Sequence, residues 1–363
     1  MSLGLARTGR WLLNSRVVSA LAVPHGVDRY LGLVNPLWST HEVRAVVVDV
    51  AHHTADSVTI TLRPNGNWAG AQAGQYVRLA VEIDGARRTR CFSVASSAHR
   101  ADGLIEITTK VNPAGAVSRY LKQHARPGLR MVLSPAEGEF TLPARVPERL
   151  LLISGGSGIT PVMSILRTLI DQRYPGRITF LHYARTPADV IYRAELAALA
   201  AARPRLTLVN VYTRSPGASR FSGERLGQVA PDYAKALTYV CGPAPLLEAV
   251  AGLWRAEGIA DRLMIERFTL VSPVVDTENA VGTVRFTRSG VSARNDGRTV
   301  LEQAEAAGLR PEHGCRMGIC HTCVALKTIG SVRDVRNDVI SAEPDERIQL
   351  CVTAPCGDVE LDL

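Results

Sequence analysis

The amino-acid sequence predicts three domains in a fixed order: an antiparallel β-barrel, a doubly wound α/β domain and a small α+β domain of the β-grasp type. Three patterns support this prediction. Short β-rich runs separated by Gly and Asn clusters occupy residues 41–145, apolar strands alternate with Ala-rich helices over residues 146–268, and a cysteine-rich loop lies within residues 279–363. A chain of 363 residues is long enough for two or three domains of ordinary size.

The composition is that of a soluble globular protein, with 46% hydrophobic residues and no apolar run near the ~18 residues that span a bilayer. The formal net charge of +8 is compatible with nucleic-acid binding, but the basic residues are spread along the chain instead of forming blocks. We interpret them as solvated surface and a protein-docking face, and we expect no nucleic-acid partner. We expect a monomer in the cytoplasm, with peripheral membrane contact through a partner.

Residues 1–40 form a distinct N-terminal extension for which we predict helix. From Met1 to Val27 the extension contains no Asp or Glu, and three arginines interleave with apolar residues. Such a segment is typical of a transit peptide, of an amphipathic helix on a membrane surface, or of a helix packed on its own protein. The apolar run Val17–Val23 ends at Pro24 and is too short for a secretory signal. We favour a helix packed on the protein itself.

The predicted barrel carries two short motifs that suit a phosphate-bearing ligand. Three β-rich runs within residues 45–81 and a later run at 106–111 are typical of strands with alternating faces. Arg90 offers two parallel donors to a phosphate, Ser93 is a small hydrogen-bond donor, and the first amides of a predicted helix at residues 115–121 suit an anion. The candidate binding residues are Arg90, Cys91, Phe92, Ser93, Lys110, Val111, Gly115, Ala116, Val117 and Ser118.

A pyrophosphate-binding turn is predicted at the start of the α/β domain. The apolar strand at residues 149–153 leads into a Gly-Gly-Ser-Gly turn and then a helix whose apolar residues recur on one face. Strand, glycine turn and helix N-terminus together form a cradle of backbone amides for a pyrophosphate. A second turn, Cys-Gly-Pro, ends the predicted strand at residues 237–241. The candidate residues are Gly155, Gly156, Ser157, Gly158, Thr160, Pro161, Cys241, Gly242 and Pro243.

Basic residues near the ends of the second and third predicted strands of this domain favour NADPH as the nucleotide. Arg185 follows the second strand, where it could grip a 2′-phosphate, and Arg214 and Arg220 could assist. No acidic residue occupies this strand end to bind a free ribose diol, since Asp189 comes a few residues later. NADH is the alternative.

Four cysteines near the end of the chain have the spacing of a [2Fe–2S] site. Cys315, Cys320 and Cys323 follow the C-x4-C-x2-C pattern of plant-type ferredoxins, and Cys351 comes later. Gly318 lets the loop backbone approach the inorganic sulfides, while the fourth ligand arrives from a separate predicted strand. A structural zinc site and a set of unrelated buried thiols are the alternatives. Zinc loops usually present paired C-x2-C knuckles, and this sequence has one such pair.

The other residues of this region bear on the same choice. A Rieske centre requires histidine ligands, and His321 lies inside the loop without a matching histidine motif. Cys356 falls outside the spacing and is expected to be an ordinary packed thiol. Seven cysteines, four of them thiolate ligands, favour a reducing intracellular compartment over a disulfide framework.

We predict a helix over residues 299–307 with Thr299 as its N-cap, and strands over residues 282–286, 323–327, 348–352 and 359–363.

The motifs of the first two domains resemble those of the ferredoxin–NADP reductase superfamily. Arg-Cys-Phe-Ser and Gly-Ala-Val-Ser resemble its R-x-Y-S and G-x-x-S elements, and the G-G-x-G-I-T-P and C-G-P turns resemble its nucleotide-binding turns. The resemblance implies that Arg90 pairs with a flavin phosphate, Phe92 lies on the isoalloxazine and Ser93 approaches its N5 atom. It also implies that the Cys241 thiol lies beside C4 of the nicotinamide. Phe92 replaces the commoner Tyr, so a hydrogen bond worth ~1 kcal/mol to the flavin is lost.

The same resemblance implies an NAD(P)H-dependent reductase whose flavin splits a hydride into single electrons for the [2Fe–2S] cluster. The flavin is expected to be FAD, with FMN as the alternative. Ser93, Cys241 and Phe268 are the candidate catalytic residues. In relatives with an appended cluster domain, an aromatic at the position of Phe268 covers the flavin face, although Phe268 could equally be a core residue.

The resemblance also implies a protein acceptor for the electrons. The N-terminal segment resembles actinobacterial reductases that serve acyl-CoA desaturases or alkane hydroxylases. A membrane-bound di-iron fatty acyl desaturase or hydroxylase is therefore the first candidate partner. The second is a soluble ring-hydroxylating or demethylating oxygenase, with NADH as the donor. Two further hypotheses are a redox-sensing interaction module and a zinc protein whose flavin alone passes electrons to small acceptors.

Overall fold

The structure is a computed structural model, and it describes residues 27–113, 115–214, 220–268, 280–314, 318, 321–336 and 338–363. The chain separates into two compact units, Met1–Arg267 and Phe268–Leu363. The first unit holds both the barrel and the α/β domain, and the second holds the small α+β domain. Within the described ranges, no helix is both long enough and apolar enough to cross a membrane.

The described part of the N-terminal extension is a short helix and a turn that reach the barrel. Helix α1 (Val27–Val34) begins beside Asp28, whose carboxylate accepts a hydrogen bond from the Thr40 amide at 2.8 Å. Asn65 of the barrel donates its side-chain amide to the Leu37 carbonyl at 2.9 Å. These bonds attach the stretch just before the barrel to the protein itself.

The first sheet is an antiparallel six-stranded barrel. Its strands are β1 (Val43–Ala51), β2 (Ser57–Pro64), β3 (Tyr76–Ile83), β4 (Ala86–Ser93), β5 (Ile105–Lys110) and β6 (Arg130–Leu133), in the spatial order β4-β3-β6-β1-β2-β5. A bridge between Val94 and Ile107 joins the two outer strands and closes the sheet. Helix α2 (Ala116–His124) packs Val117 and Leu121 into the barrel core. The predicted barrel is confirmed.

The α/β domain is a parallel five-stranded sheet with helices. Its strands are β7 (Arg149–Gly155), β8 (Arg177–Ala184), β9 (Leu206–Tyr212), β10 (Leu237–Cys241) and β11 (Leu263–Glu266), and its helices are α3 (Ile159–Asp171), α4 (Arg193–Ala202), α5 (Gly223–Val229) and α6 (Ala244–Ala256). The strand order is β11-β10-β7-β8-β9. The central strand β7 is buried on both faces, which explains its continuous apolar run. The order reverses between β7 and β10, and ligands of such sheets bind at the carboxyl ends of the strands there.

The second unit is a mixed sheet with one helix packed on it. Its elements are β12 (Thr283–Phe286), β13 (Val291–Arg294), α7 (Val300–Ala306), β14 (Val324–Asp334), β15 (Ile340–Ser341), β16 (Glu346–Gln349) and β17 (Thr353–Leu361), with the order β13-β12-β17-β14-β15 and β16 paired to β14. Thr299 caps α7 in a capping box with Glu302, as predicted.

Two predictions for the second unit are wrong. The run at residues 348–352 is not one strand, because β16 ends at Gln349 and Leu350–Val352 form a 3-10 turn before β17. Cys351 therefore lies on a turn. Cys356 was expected to be packed, but it is exposed, because it lies on the solvent side of β17 opposite Ser331.

The buried charge of Lys327 leads to a prediction about stability. Its side chain is fully buried, donates to the Gly330 carbonyl at 3.0 Å, and lies 3.2 Å from the Glu346 carboxylate. In Lys327→Met these acceptors lose their cation, so we expect a loss of about 2–4 kcal/mol in unfolding free energy. The matched control is Arg288→Met, whose exposed pair with Asp362 contributes under ~1 kcal/mol. Equal unfolding midpoints in urea for the two variants would contradict the prediction.

Candidate functional site

The residues Arg90, Cys91, Phe92 and Ser93 form the end of β4, at one edge of the barrel sheet. Ser93 is buried and lies opposite Tyr76 on β3. Phe92 is half-buried and packs against the barrel core. The Arg90 guanidinium donates to the Thr89 carbonyl at 2.7 Å. The predicted motif is therefore a single strand end, in which Phe92 faces the barrel core and the buried Ser93 lies on the opposite face of the strand, beside Tyr76.

The second predicted motif of the barrel lies at the start of α2. Gly115 is the N-cap residue in an extended conformation, and it has no side chain to cap the amides of the first turn. The Ser118 hydroxyl accepts a hydrogen bond from the Asn112 amide at 3.1 Å, which fixes the loop before the helix. Ala116, Val117 and Ser118 form the first turn, the last two of them buried. First-turn amides that no side chain caps can donate hydrogen bonds to phosphate oxygens.

Lys110 and Val111 lie at the end of β5, next to this loop. The Lys110 ammonium lies 3.1 Å from the Asp56 carboxylate, and the Val111 amide donates to the Asp56 carbonyl at 2.7 Å. Asp56 therefore fixes both residues at the mouth of the barrel.

The glycine turn after β7 and the Cys-Gly-Pro turn after β10 lie directly against each other. A Cβ atom on Gly158 would lie 2.3 Å from the Cys241 carbonyl oxygen and 2.6 Å from the Gly242 amide nitrogen. A Cβ atom on Gly155 would lie 2.8 Å from Pro243 Cδ. Side chains cannot be accommodated at such distances, so glycine is required at both positions. The structure brings together two turns that are separate motifs in the sequence.

The rest of the glycine turn continues into α3. Gly156 has a φ of +55°, in the left-handed region that favours glycine. Residues Gly156–Gly158 form a 3-10 turn, and Thr160 and Pro161 lie in the first turn of α3. The Thr160 hydroxyl donates to the Ser157 carbonyl at 3.1 Å. This strand–turn–helix arrangement has the geometry of a pyrophosphate cradle.

A row of polar side chains crosses the carboxyl edge of the same sheet. In the strand register Glu266 lies beside Cys241, Cys241 beside Ser154, and Ser154 beside His182. The Ser154 hydroxyl lies 2.8 Å from His182 Nδ1. Burial, together with the nearby charge of Lys110, lowers the pKa of His182 to about 4. The imidazole is therefore neutral at neutral pH.

Burial also raises the pKa values of three other groups in or near this row. Burial raises the pKa of Glu266 to about 7. Burial, and then the Glu266 charge, raises the pKa of the Cys241 thiol well above its usual value. Burial raises the pKa of Tyr76 on β3, and the charges of Glu137, Cys91 and Glu266 add to that rise. Glu266 is thus electrostatically coupled to the barrel strand opposite Ser93. Glu266 is missing from the residues predicted above, although an acidic residue that ends an apolar strand is a usable signal.

Arg167 of α3 ties the barrel to the α/β domain. Its guanidinium donates to Glu106 of β5 at 2.6 Å and to both carboxylate oxygens of Glu195 of α4, at 2.7 and 2.6 Å. It also lies 4.7 Å from the ring centroid of Tyr192, whose hydroxyl is hydrogen-bonded to Thr108 of β5. This partly desolvated bidentate network holds the two domains together. A basic residue within an apolar helix gives little sign of such partners in the sequence.

Arg185 forms ion pairs with two carboxylates, whereas the side chain of Arg214 is exposed. Arg185 Nη2 lies 2.5 Å from the Asp189 carboxylate and 3.2 Å from that of Asp56. Arg214 follows β9 with an exposed side chain, and its amide donates to the Arg185 carbonyl at 3.0 Å. Arg220 is also exposed, and residues 215–219 lie outside the described residues. Of the arginines predicted to contact a 2′-phosphate, Arg185 already has two carboxylate partners.

Two of the four predicted cluster ligands lie in the described part of the second unit. Cys323 and Cys351 are both buried, and the Leu350 amide donates to the Cys323 carbonyl at 3.0 Å. The Gly318 amide lies 3.3 Å from Cys351 Sγ and donates to it. Cys315 and Cys320 lie outside the described residues.

The donor set fits a thiolate-bound cluster. Iron–sulfur clusters are held by cysteine thiolates, and hydrogen bonds to the sulfurs, such as the one at Cys351, tune their potentials. Gly318 has a φ of +69°, and a Cβ atom there would lie 2.6 Å from Val352 Cγ1, so the loop is closely packed at this point. Phe268, the remaining predicted catalytic residue, is half-buried and is the first residue of this unit.

Comparison with known proteins gives three family models that match consecutive parts of the chain. They describe an oxidoreductase FAD-binding domain over residues 46–142, an oxidoreductase NAD-binding domain over residues 152–252 and a 2Fe-2S iron-sulfur cluster binding domain over residues 284–356.

The relatives match most of the chain. An NADPH oxidoreductase of Mycobacterium tuberculosis is 39% identical over 364 residues, covering 99% of this chain and 94% of that protein. A glycine betaine monooxygenase reductase subunit of Pseudomonas aeruginosa is 32% identical over 316 residues, covering 80% of this chain and 86% of that protein. The solved structure of phthalate dioxygenase reductase has the same fold, with a TM-score of 0.62 at 22% identity over 89% of this chain and 98% of that one.

The raised pKa of Glu266 leads to a prediction about how stability depends on pH. Its folded pKa, about 7, lies above its ordinary value of 4.5, so the folded state holds the proton more tightly. The associated stability is fully present below pH 4.5 and is lost as pH rises through about 7. The loss should be about 2 kcal/mol after discounting for partial exposure, and Glu266→Gln should not show it.

The check is to compare unfolding midpoints of the flavin-loaded protein and of Glu266→Gln at about pH 5 and about pH 8. The wild type should become less stable relative to the variant at the higher pH. Glu224→Gln, on the exposed first turn of α5, is the matched control. A difference between wild type and Glu266→Gln that is the same at both pH values would contradict the raised pKa.

Proposed function

The chain belongs to the ferredoxin–NADP reductase superfamily of oxidoreductases with a C-terminal [2Fe–2S] domain, and we propose that it passes electrons from NADPH through FAD and the cluster to an acceptor protein. It is an electron-transfer reductase of the type that serves oxygenases. The observation that carries the proposal is that the strand end bearing Ser93 and the strand end bearing Cys241 belong to one compact unit. We assign residues 41–145 to flavin, 146–268 to nucleotide and 279–363 to the cluster, after the 1–40 extension.

We propose that the barrel mouth holds the flavin. Arg90 and the first-turn amides of α2 bind its phosphates, Phe92 lies on its ring system, and Ser93 donates toward N5. The support is their placement, with Ser93 buried at a strand end and the α2 amides uncapped by a side chain. Bound FAD supplies the chemistry of accepting a hydride and releasing single electrons.

We propose that the paired turns hold the nucleotide. The amides of the glycine turn bind its pyrophosphate, and Cys241, a protonated thiol, packs beside the nicotinamide as an uncharged wall. Burial raises the pKa of Glu266 to about 7, so this carboxyl group adds a negative charge to the edge of the sheet only as the pH rises through that value. Phe268 is our candidate for the aromatic residue that, by the family resemblance, covers the flavin face. The close backbone contact of the two turns supports this assignment.

We propose that NADPH is preferred and that Arg214, with Arg220, binds its 2′-phosphate. The support is that Arg214 follows β9 with an exposed side chain and that the Arg220 side chain is exposed as well, whereas Arg185 is paired with two carboxylates. The relative from Mycobacterium tuberculosis is itself called an NADPH oxidoreductase.

Arg214→Gln tests this assignment. The loss of a charge-assisted hydrogen bond should raise the KM for NADPH about tenfold or more, with little change in the KM for NADH. Arg185→Gln is the matched control, and it should leave the ratio of the two KM values close to that of the wild type. Steady-state kinetics with a dye acceptor measure both. A selective effect of Arg185→Gln, and none of Arg214→Gln, would overturn the assignment.

We propose a membrane-bound di-iron acyl desaturase or hydroxylase as the acceptor. The support is that the Mycobacterium tuberculosis relative aligns with 99% of the chain, so the match includes the N-terminal extension, whereas the betaine monooxygenase reductase aligns with 80%. The name of the latter relative favours a second candidate, in which the chain is the NADH-dependent reductase of a soluble ring-hydroxylating or demethylating oxygenase.

The two acceptors can be separated directly. The full-length protein and NADPH are added to membranes containing an acyl-CoA desaturase and, separately, to a purified soluble demethylating monooxygenase. We expect product formation per NADPH oxidised to be at least about tenfold higher with the membranes, because electron transfer requires a docked complex. Cys351→Ser is the negative control, since it removes a cluster ligand. Coupled product with the soluble oxygenase alone would refute the desaturase proposal.

A further inference from the structure

We infer that Arg336 is a positioning residue for the [2Fe–2S] cluster, which holds the cluster loop at Gly318 and favours the reduced cluster through its charge. The inference rests on the proposed function, because it requires a cluster bound through Cys351. It assigns a role to a residue outside the four cysteines and outside the spacing that predicted them.

Gly318 is the one residue between positions 315 and 320 that the structure describes, and it is bonded to the rest of the unit on both sides. Its carbonyl oxygen accepts hydrogen bonds from Arg336 Nη1 at 3.0 Å and from Gln349 Nε2 at 2.9 Å. Its amide donates to Cys351 Sγ at 3.3 Å. A Cβ atom on Gly318 would lie 2.9 Å from Arg336 Nη1, so the guanidinium packs on this residue as well as bonding to it. One residue therefore links Arg336 to a ligand sulfur.

Arg336 is itself held in a fixed orientation. The Asp334 carboxylate accepts from Arg336 Nε at 2.9 Å, from Nη2 at 2.5 Å and from the Arg336 amide at 2.9 Å. The Val335 amide donates to the Val352 carbonyl at 2.9 Å, which ties this turn to the 3-10 turn that carries Cys351. With Nε and Nη2 bound to Asp334, the fork presents Nη1 to Gly318. A lysine could supply the charge but not this two-sided contact.

The positive charge of Arg336 should shift the midpoint potential of the cluster in a predictable direction. Reduction of the cluster adds one electron and so one negative charge to a site that already carries four thiolates. A cation nearby stabilises the reduced state, and the Asp334 carboxylate offsets part of that effect. Removing the cation should therefore lower the midpoint potential, and neutralising Asp334 should raise it. The guanidinium is partly exposed, so salt should weaken both shifts.

The test uses the full-length, cluster-loaded protein and two readouts that do not depend on turnover. The first is the midpoint potential from an EPR-monitored redox titration, and the second is the rate at which a chelator removes the cluster. At the wild-type midpoint, Arg336→Gln should lower the ratio of reduced to oxidised cluster about threefold, where a tenfold change corresponds to 59 mV. Asp334→Asn should raise that ratio. Arg336→Lys should stay close to the wild-type ratio but lose its cluster faster.

Arg288→Gln is the matched control, because its arginine forms an ion pair with Asp362 in the same unit. An Arg336→Gln variant that matches this control in both readouts overturns the inference. Shifts of the same sign in Arg336→Gln and Asp334→Asn overturn the charge effect. If Arg336→Gln does not retain a cluster, Arg336→Lys and Gln349→Met decide the matter: faster cluster loss in both supports the positioning role, and control-like rates refute it. A wild-type protein without a [2Fe–2S] signal refutes instead the proposed function.

Discussion

The approach of the Gly158 backbone to the Cys241 carbonyl is the constraint on which the first unit depends. It occurs between the parallel strands β7 and β10, where the chain continues from β7 to β8 on one side of the sheet and from β10 to β11 on the other. A dinucleotide can lie across the carboxyl edge at such a point. Because no side chain fits between the two turns, the pyrophosphate cradle and the Cys-Gly-Pro turn form one rigid surface. If the two turns bind the nucleotide as proposed, the distance from its pyrophosphate to its nicotinamide is set by the backbone and not by mobile side chains.

Arg167 extends this rigidity to the barrel. Its bonds to Glu106 and Glu195 span both domains, so the flavin strands and the nucleotide turns are held in one unit. Between them lies the polar row, in which burial keeps His182 neutral and Cys241 protonated at neutral pH. Uncharged groups avoid the free-energy cost of burying an unpaired ion, and Glu266 adds a negative charge to this edge only as the pH rises through about 7.

The sequence predicts an element of secondary structure well where the motif or the hydrophobic periodicity that indicates it is local. The strand at Leu237–Cys241 and the Thr299 cap lie at the predicted positions. The remaining features depend on contacts distant in sequence. Residues 348–352 are apolar at most positions, and only the pairing of β16 and β17 with the same strand β14 breaks them into strand and turn. Arg185 meets Asp56, and Arg167 meets Glu106, only after the barrel has packed on the α/β domain.

The central claim is that electrons pass from nucleotide to flavin and then to the cluster within this one chain. Anaerobic mixing of the full-length protein with NADPH, followed by absorbance and by EPR of freeze-quenched samples, tests it most directly. The account predicts bleaching of the flavin bands and then a rhombic [2Fe–2S] signal of comparable yield. Flavin bleaching with no such signal, in protein of measured iron and sulfide content, would contradict it.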